Sequence, residues 1–438
     1  MPQIRPFRAL RFDVSVVGDL AQVVAPPYDV IGPDRQAALL ARHPANVVRL
    51  DLPAIEAGDE PDDRYRRAAR TLAAWRSDGT LHKDPHPSIY VYEQVYCVPG
   101  TSVERTQRGF FGRLRLEELG PVGGVLPHER TLAAPKEDRY KLLRATGVNT
   151  SPVVVLHEDR SGRTSRALAG LTGGPASIDV TDDDGTRHRL WAVPADGVEP
   201  NPALDALLAA AAGGPLTIAD GHHRYETALR YRDERRMTRS CEDDPAFDYL
   251  LALFIEAGEP LTVLPTHRVI GGLEDEGAGL IEAAGELFDV RRGVSSEELL
   301  AAYAGIGAAS GGTGQFGLWT RAGGAWLEAR RAAFGSLLPP GMALRRLDVS
   351  LLGAALERLA GIDAAAVAAG RVTYTKDPAE AIAWVDERRD GADAAFLLDP
   401  TPVGDIIAVA REGGVMPQKS TYFYPKALTG LVINPHEW

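Results

Sequence analysis

Residues 216–224 read Leu-Thr-Ile-Ala-Asp-Gly-His-His-Arg. The first four are apolar or β-prone and bounded by a Pro-Leu entry and an Asp-Gly exit, as expected of a short buried strand. From His222 a helical pattern runs to about Met237. The order is strand, tight turn, helix. A helix N-terminus presents unpaired N–H groups and the positive end of a dipole, and a glycine lets a phosphate approach the backbone closely. Gly221 is therefore the expected contact for an anion. Arg224, in the first turn, can add a bidentate charge-assisted bond to phosphate oxygens, while His222 and His223 can donate hydrogen bonds or move a proton. Asp220 can hold Mg²⁺ or cap the helix. The bland alternative is an ordinary Asp-Gly cap followed by a solvated helix face, Arg230 to Arg236 (RYRDERR). A zinc site fits poorly, because adjacent helical side chains point about 100° apart and no third ligand is in range.

A second cluster lies upstream, Pro127-His128-Glu129-Arg130-Thr131 followed by Pro135-Lys136-Glu137-Asp138-Arg139. Glu129 is a candidate general base, and His128, Thr131, Lys136 and Arg139 suit the holding of phosphate. A charged surface helix over 137–144 is the alternative reading. The position four residues after His128 is Leu132, so this is no zincin motif. A third cluster, Gln-Lys-Ser-Thr-Tyr-Phe-Tyr-Pro-Lys at 418–426, is polar and aromatic for a chain end. It is expected either to return to the site, with Lys419 on phosphate, or to form an edge strand. His267-Arg268 reads as a satisfied structural pair. Gly312 to Gly317 (GTGQFG) matches GxGxxG but leads into a β-like run instead of a helix, which rejects a dinucleotide site, and no GxxxxGK[ST] segment exists.

Around these clusters the chain is ordinary in composition, with 438 residues, 45% hydrophobic and 25% charged, which predicts two or three domains. The net charge of −12 opposes binding to the nucleic-acid backbone. With only Cys97 and Cys241, no export signal and no apolar run of about 18 residues, the expectation is a cytoplasmic protein without membrane contact. Pro26-Pro27 impose a rigid turn on VVAPPYDV, residues 23–30. A helix is expected over 62–77, and hairpins from 89–98 with 108–116 and from 178–180 with 189–191. Another helix is expected over 202–212. The C-terminal third alternates helical stretches (297–304, 347–360, 378–388, 402–411) with apolar runs at 316–319 and 395–398, and 304–314 reads as a loop or linker. The expected class is α/β with mixed α+β character, divided into 1–275, carrying the first two clusters, and a C-terminal α/β domain, 276–438.

The chain resembles the bacterial and archaeal family called domain of unknown function 1015. The resemblance rests on PFRALRFD (6–13), VVAPPYDVI (23–31), NVVRLDLP (46–53), PHERTLAAPKEDRYKLLRATG (127–147), ADGHHRYETAL (219–229), LPTHRVI (264–270) and MPQKSTYFYPKALTGLVINP (416–435). Its DGHHR segment is similar to the phosphate-binding turn of the ParB and sulfiredoxin superfamily, which includes free-serine kinases with the same string. The resemblance implies a ParB/sulfiredoxin-like phosphate-binding unit and phosphoryl transfer to free L-serine, giving O-phosphoserine, with residues 220–224 gripping the donor phosphates and Mg²⁺ bridging them. It also implies a carboxylate base outside the motif, for which Glu129 is the choice and Asp29 the reserve. The donor is pyrophosphate, ADP or ATP, with pyrophosphate favoured because no adenine site is recognisable. A ParB-like nucleotide- or DNA-binding regulator, or a non-catalytic small-molecule sensor, are the alternatives. The oligomeric state is left open.

Overall fold

The run ahead of the Asp220-Gly221 turn forms the strand Leu216–Asp220, with Leu216, Ile218 and Ala219 buried. It lies parallel to Val125–Leu126 on one side and antiparallel to Val153–His157 on the other. The computed structural model describes residues 1–131, 133–197, 199–238, 243–273, 275–303 and 312–438. The loop expected over 304–314 therefore lies outside the described residues except for Gly312, Thr313 and Gly314. No helix among the described residues is long and apolar enough to cross a membrane.

The architecture is mixed α+β. A nine-stranded sheet runs in the order Val125–Leu126, Leu216–Asp220, Val153–His157, Tyr249–Glu256, Glu104–Arg115, Ser88–Cys97, Arg187–Pro194, Ile178–Thr181, with Ile4–Arg5 added against Glu104–Arg115. Both expected hairpins are in it. Residues 88–94 are buried at every position, because this sheet is covered on both faces. On one face Ile89, Val91, Phe110, Phe254 and Ile218 pack with Leu207 and Tyr225, so the helices Pro202–Ala211 and His222–Thr238 lie there. The other face, with Tyr90, Tyr92, Phe111, Leu251 and Leu253, shares a core with Ile270, Phe316 and Leu318 of a second sheet. Full burial of each such side chain stabilises the fold by roughly 1.5–3 kcal/mol.

That second sheet has six strands in the order Phe288–Val294, Gly323–Ala329, Gln315–Thr320, Ala392–Leu397, His267–Gly271, Val372–Thr375. All its pairings are antiparallel. Its first strand in sequence, His267–Gly271, precedes the boundary expected near 275. Gly312 and Gly314, both at positive φ, donate their N–H groups to Asp348 and lead into Gln315–Thr320, so the GxGxxG match is a strand entry.

The chain end returns to the first sheet. Asn434–Pro435 pairs with Val148–Asn149, and the buried Arg113 guanidinium donates to Asn434 Oδ1 at 2.7 Å and to the carbonyls of Pro435 and Glu437 at 2.6 and 2.8 Å. Tyr422–Tyr424 pairs with Thr262–Leu264. Anchored at both points, residues 416–426 are drawn across the open end of the Leu216–Asp220 strand.

Candidate active site

Gly221 sits at φ 92°, in the region that favours glycine. A Cβ there would also lie 3.0–3.1 Å from the Arg224 guanidinium. The turn needs glycine for both reasons. Arg224 folds back over it, donating to the Asp220 carboxylate and to the Pro152 carbonyl. Its side chain is 12% exposed, and among the described residues its buried Nε has no partner. The other Asp220 oxygen takes Lys426 Nζ at 2.6 Å. Burial opposes the Asp220 charge, but Lys426 and Arg224 outweigh it and hold the carboxyl well below the usual range. Asp220 is thus an ionised anchor for two cations. Among the described residues no group of three His, Cys, Asp or Glu is arranged to hold a metal. Both Asp220 oxygens are engaged by cations, so Asp220 itself offers Mg²⁺ no free ligand.

Asp220, Gly221, His222, His223 and Arg224 line one wall of a cavity of about 770 Å³, and Glu129, Lys419 and Asp29 line it as well. The structure therefore brings the first cluster, the candidate base and the chain end to one place. Glu129 is held by the returning chain: Met416 N–H donates to the His128 carbonyl at 2.8 Å, and Lys419 N–H to Glu129 Oε1 at 3.0 Å. Lys419 pays for this position with φ 57°, unusual for a residue with a Cβ, and the Thr266 hydroxyl fixes its carbonyl at 2.7 Å. Burial pushes the Glu129 carboxyl up to about 7, against the opposing hydrogen bond and charge of Lys419. A carboxyl that titrates near neutrality is suited to general-base work.

Four expected phosphate ligands do not line this cavity. His128 is fully buried, with Nδ1 2.6 Å from the Ile218 carbonyl and Nε2 3.1 Å from Thr421 Oγ1, so it ties the 127–131 loop to the strand and to the chain end. Burial pushes it down to about 4, which keeps it neutral. Thr131 Oγ1 and Lys136 Nζ both turn to Glu226, at 2.9 and 2.8 Å. Arg139 is buried, paired with Asp138 and Asp51, and its guanidinium stacks 4.0 Å from the Tyr28 ring centroid. Each finds a carboxylate or carbonyl closer than the cavity. His222 does reach the cavity, but its Nε2 accepts the His128 backbone N–H at 3.2 Å, and burial, then the neighbouring His128, hold it well below the ordinary histidine value. A neutral ring with that acceptor occupied keeps its proton on Nδ1.

The cavity also exposes residues that the sequence reading passed over. Tyr28, Lys376, Tyr422 and Lys426 line it. Lys426 and Tyr422 lay within the polar, aromatic stretch already noted, whereas Lys376 follows the strand Val372–Thr375 with no motif around it. His267-Arg268 is buried and only partly satisfied: His267 Nδ1 accepts the Leu398 N–H and Arg268 NH1 donates to the Val349 carbonyl, but among the described residues His267 Nε2 and Arg268 Nε and NH2 have no partners.

The family model described as "Protein of unknown function (DUF1015)" matches residues 4–350. Among curated proteins nothing matches. Similar solved structures include a conserved hypothetical protein from Pyrococcus furiosus (12% identity over 72% of this chain and 90% of that one, TM-score 0.34). A free serine kinase in complex with AMP (12%, 72% and 86%, TM-score 0.36) and SbnI with C-terminal truncation from Staphylococcus aureus (11%, 72% and 86%, TM-score 0.34) are also similar. At such scores the likeness says nothing of chemistry. The match over residues 4–350 places the chain in the DUF1015 family of proteins of unknown function.

Proposed function

We propose that this protein is a phosphotransferase that moves a phosphoryl group from a small phosphoanhydride, pyrophosphate or a nucleotide, to the hydroxyl of free L-serine. The observation that carries the reading is one cavity lined by Glu129, whose carboxyl burial pushes up to about 7, together with the glycine turn at a helix start and with Arg224 and Lys426. Phosphoryl transfer asks little covalent chemistry of a protein. It needs positioned donor oxygens, neutralised charge and a base at the attacking hydroxyl.

In this reading the donor phosphate lies at Gly221, beside the first helical N–H groups and the Arg224 side chain that lines the same cavity. Glu129 accepts the hydroxyl proton as the serine Oγ–P bond forms. The P–O bond to the departing phosphate breaks with its electron pair on that oxygen, whose charge Arg224, Lys426 and Lys419 offset. The products are O-phosphoserine and the donor shortened by one phosphoryl group. Asp220 does not touch the reacting atoms; it holds Arg224 and Lys426 in place. The choice of serine rests on the DGHHR string that the chain shares with free-serine kinases.

The test is to incubate the protein with L-serine, L-threonine or glycerate and each of pyrophosphate, ADP and ATP, and to follow products by ³¹P NMR. O-phosphoserine, and no comparable product from the other acceptors, is expected. Phosphorylation of glycerate in place of serine would reassign the acceptor.

A further inference from the structure

A second cavity, of about 920 Å³, adjoins the one that holds Glu129, and both are lined by Lys376, Tyr422 and Lys426. Tyr422 is the partition between them. Lys376 Nζ lies 3.8 Å and Lys426 Nζ 4.5 Å from its ring centroid, contacts that hold an ammonium without cancelling its charge. Lys426 shares the single Asp220 carboxylate with Arg224, so that charge does not cancel both cations, and among the described residues no carboxylate lies within ion-pair distance of Lys376. Burial, then the ammonium groups of Lys426 and Lys419, push the Lys376 amine below its ordinary value, so an anion there would relieve a standing repulsion.

Beyond the partition the lining changes character. Tyr303 and Tyr424 offer flat apolar surface, and the carboxylates Asp182, Asp184 and Asp377 make the far side unfavourable for a further phosphate. Asp182 is shared with His188 Nε2 at 3.0 Å, and Asp377 caps the helix Pro378–Asp386 through Ala379 N–H at 2.8 Å. Such carboxylates still accept hydrogen bonds from hydroxyl and amino groups. A cavity of this size exceeds what an inorganic phosphate or a serine needs and matches those that bury organic ligands. Cation, then aromatic and hydroxyl-binding surface, is the sequence of chemistries along a nucleotide.

Resting on the phosphotransferase reading, we propose that the donor is a nucleoside polyphosphate lying across Tyr422. Its terminal phosphate sits at Gly221, the inner phosphate on Lys376 and Lys426, and the nucleoside in the second cavity. On transfer the terminal P–O bond breaks with its electron pair left on the inner phosphate, the acceptor proton goes to Glu129, and the shortened nucleotide leaves.

Cys97 is exposed and lines the second cavity, so its thiol reports on occupancy. Alkylation of Cys97 by iodoacetamide, followed by peptide mass spectrometry, is compared with and without ADP, ATP and pyrophosphate, and binding of each is measured by calorimetry. At saturation the nucleotides should slow Cys97 alkylation at least fivefold and pyrophosphate should not. Ala379 is exposed on the rim of that cavity and outside the transfer machinery. Ala379→Trp should weaken nucleotide binding at least tenfold and leave pyrophosphate binding unchanged. Nucleotides that bind equally to both proteins and leave Cys97 reactive, or that do not bind at all, overturn the assignment. These readouts need no turnover: nucleotide binding with protection but no O-phosphoserine would sink the phosphotransferase reading alone, and O-phosphoserine made only from pyrophosphate would sink the nucleoside site alone.

Discussion

Lys426 and Asp220, 206 positions apart, form a 2.6 Å ion pair in the cavity wall. The pair closes the site: the strand end supplies the carboxylate and the returning chain the ammonium. Lys426→Met is expected to lower turnover by at least about 100-fold, through lost charge stabilisation of the departing phosphate. Breaking a buried pair costs about 3–5 kcal/mol when the remaining charge has no partner. Here Arg224 still faces Asp220, so urea denaturation should show a smaller loss. An equally active Met variant would remove Lys426 from the mechanism.

Gly221→Ala places a Cβ at positive φ and against the Arg224 guanidinium. The backbone term alone is about 1–2 kcal/mol. The melting temperature should fall and donor affinity, read by calorimetry, should fall with it, because the guanidinium must move. A variant with wild-type affinity would show that the turn does not receive the donor.

Glu129 makes a signed prediction in pH. Its folded value, raised by burial to about 7, exceeds the ordinary 4.5, so between these two values the folded state binds the extra proton. Stability therefore falls as pH rises from about 4.5 to 7, and this contribution stays lost above 7. Glu129→Gln removes the effect, and so should gain stability relative to wild type at pH 8 compared with pH 5, measured by urea midpoints. The kcat profile of wild type should rise through a limb near pH 7 as the base ionises. A wild-type profile flat from pH 5.5 to 8.5 would count against Glu129 as the base.

Arg139 and Arg224 should part company. Arg139→Met leaves the buried Asp51 without its cation, while Asp138 keeps Arg64, and it removes the stack on Tyr28, so its main effect is on stability, by about 3 kcal/mol or more. Arg224→Ala should abolish donor binding, with a smaller loss of stability because Lys426 still faces Asp220. Equal losses of donor affinity, measured where both variants are folded, would return Arg139 to the phosphate site.

Much of this was legible in local sequence. The strand-turn-helix at 216–238, the two hairpins and the helix with Tyr65, Ala68, Leu72 and Trp75 inward follow from periodicity and from Gly or Pro punctuation. Glu129 and Lys419 could be named because acid, cation and turn residues cluster around them. What local pattern cannot report is which of several nearby carboxylates a cation will choose. Thr131 and Lys136 looked like phosphate ligands and turned to Glu226, while Lys376, with no motif near it, reached the cavity through pairing of Val372–Thr375 with His267–Gly271. The antiparallel order of the second sheet is likewise a matter of long-range pairing that alternating helices and apolar runs leave open.

The most direct measurement follows O-phosphoserine by ³¹P NMR with L-serine and a saturating donor, in wild type, Glu129→Gln and Arg224→Ala side by side, with donor binding measured on the same samples. The account predicts product from wild type, donor binding without product from Glu129→Gln, and neither from Arg224→Ala. Folded wild-type protein that makes no O-phosphoserine from any of pyrophosphate, ADP or ATP, or a Glu129→Gln variant that turns over at the wild-type rate, would contradict it.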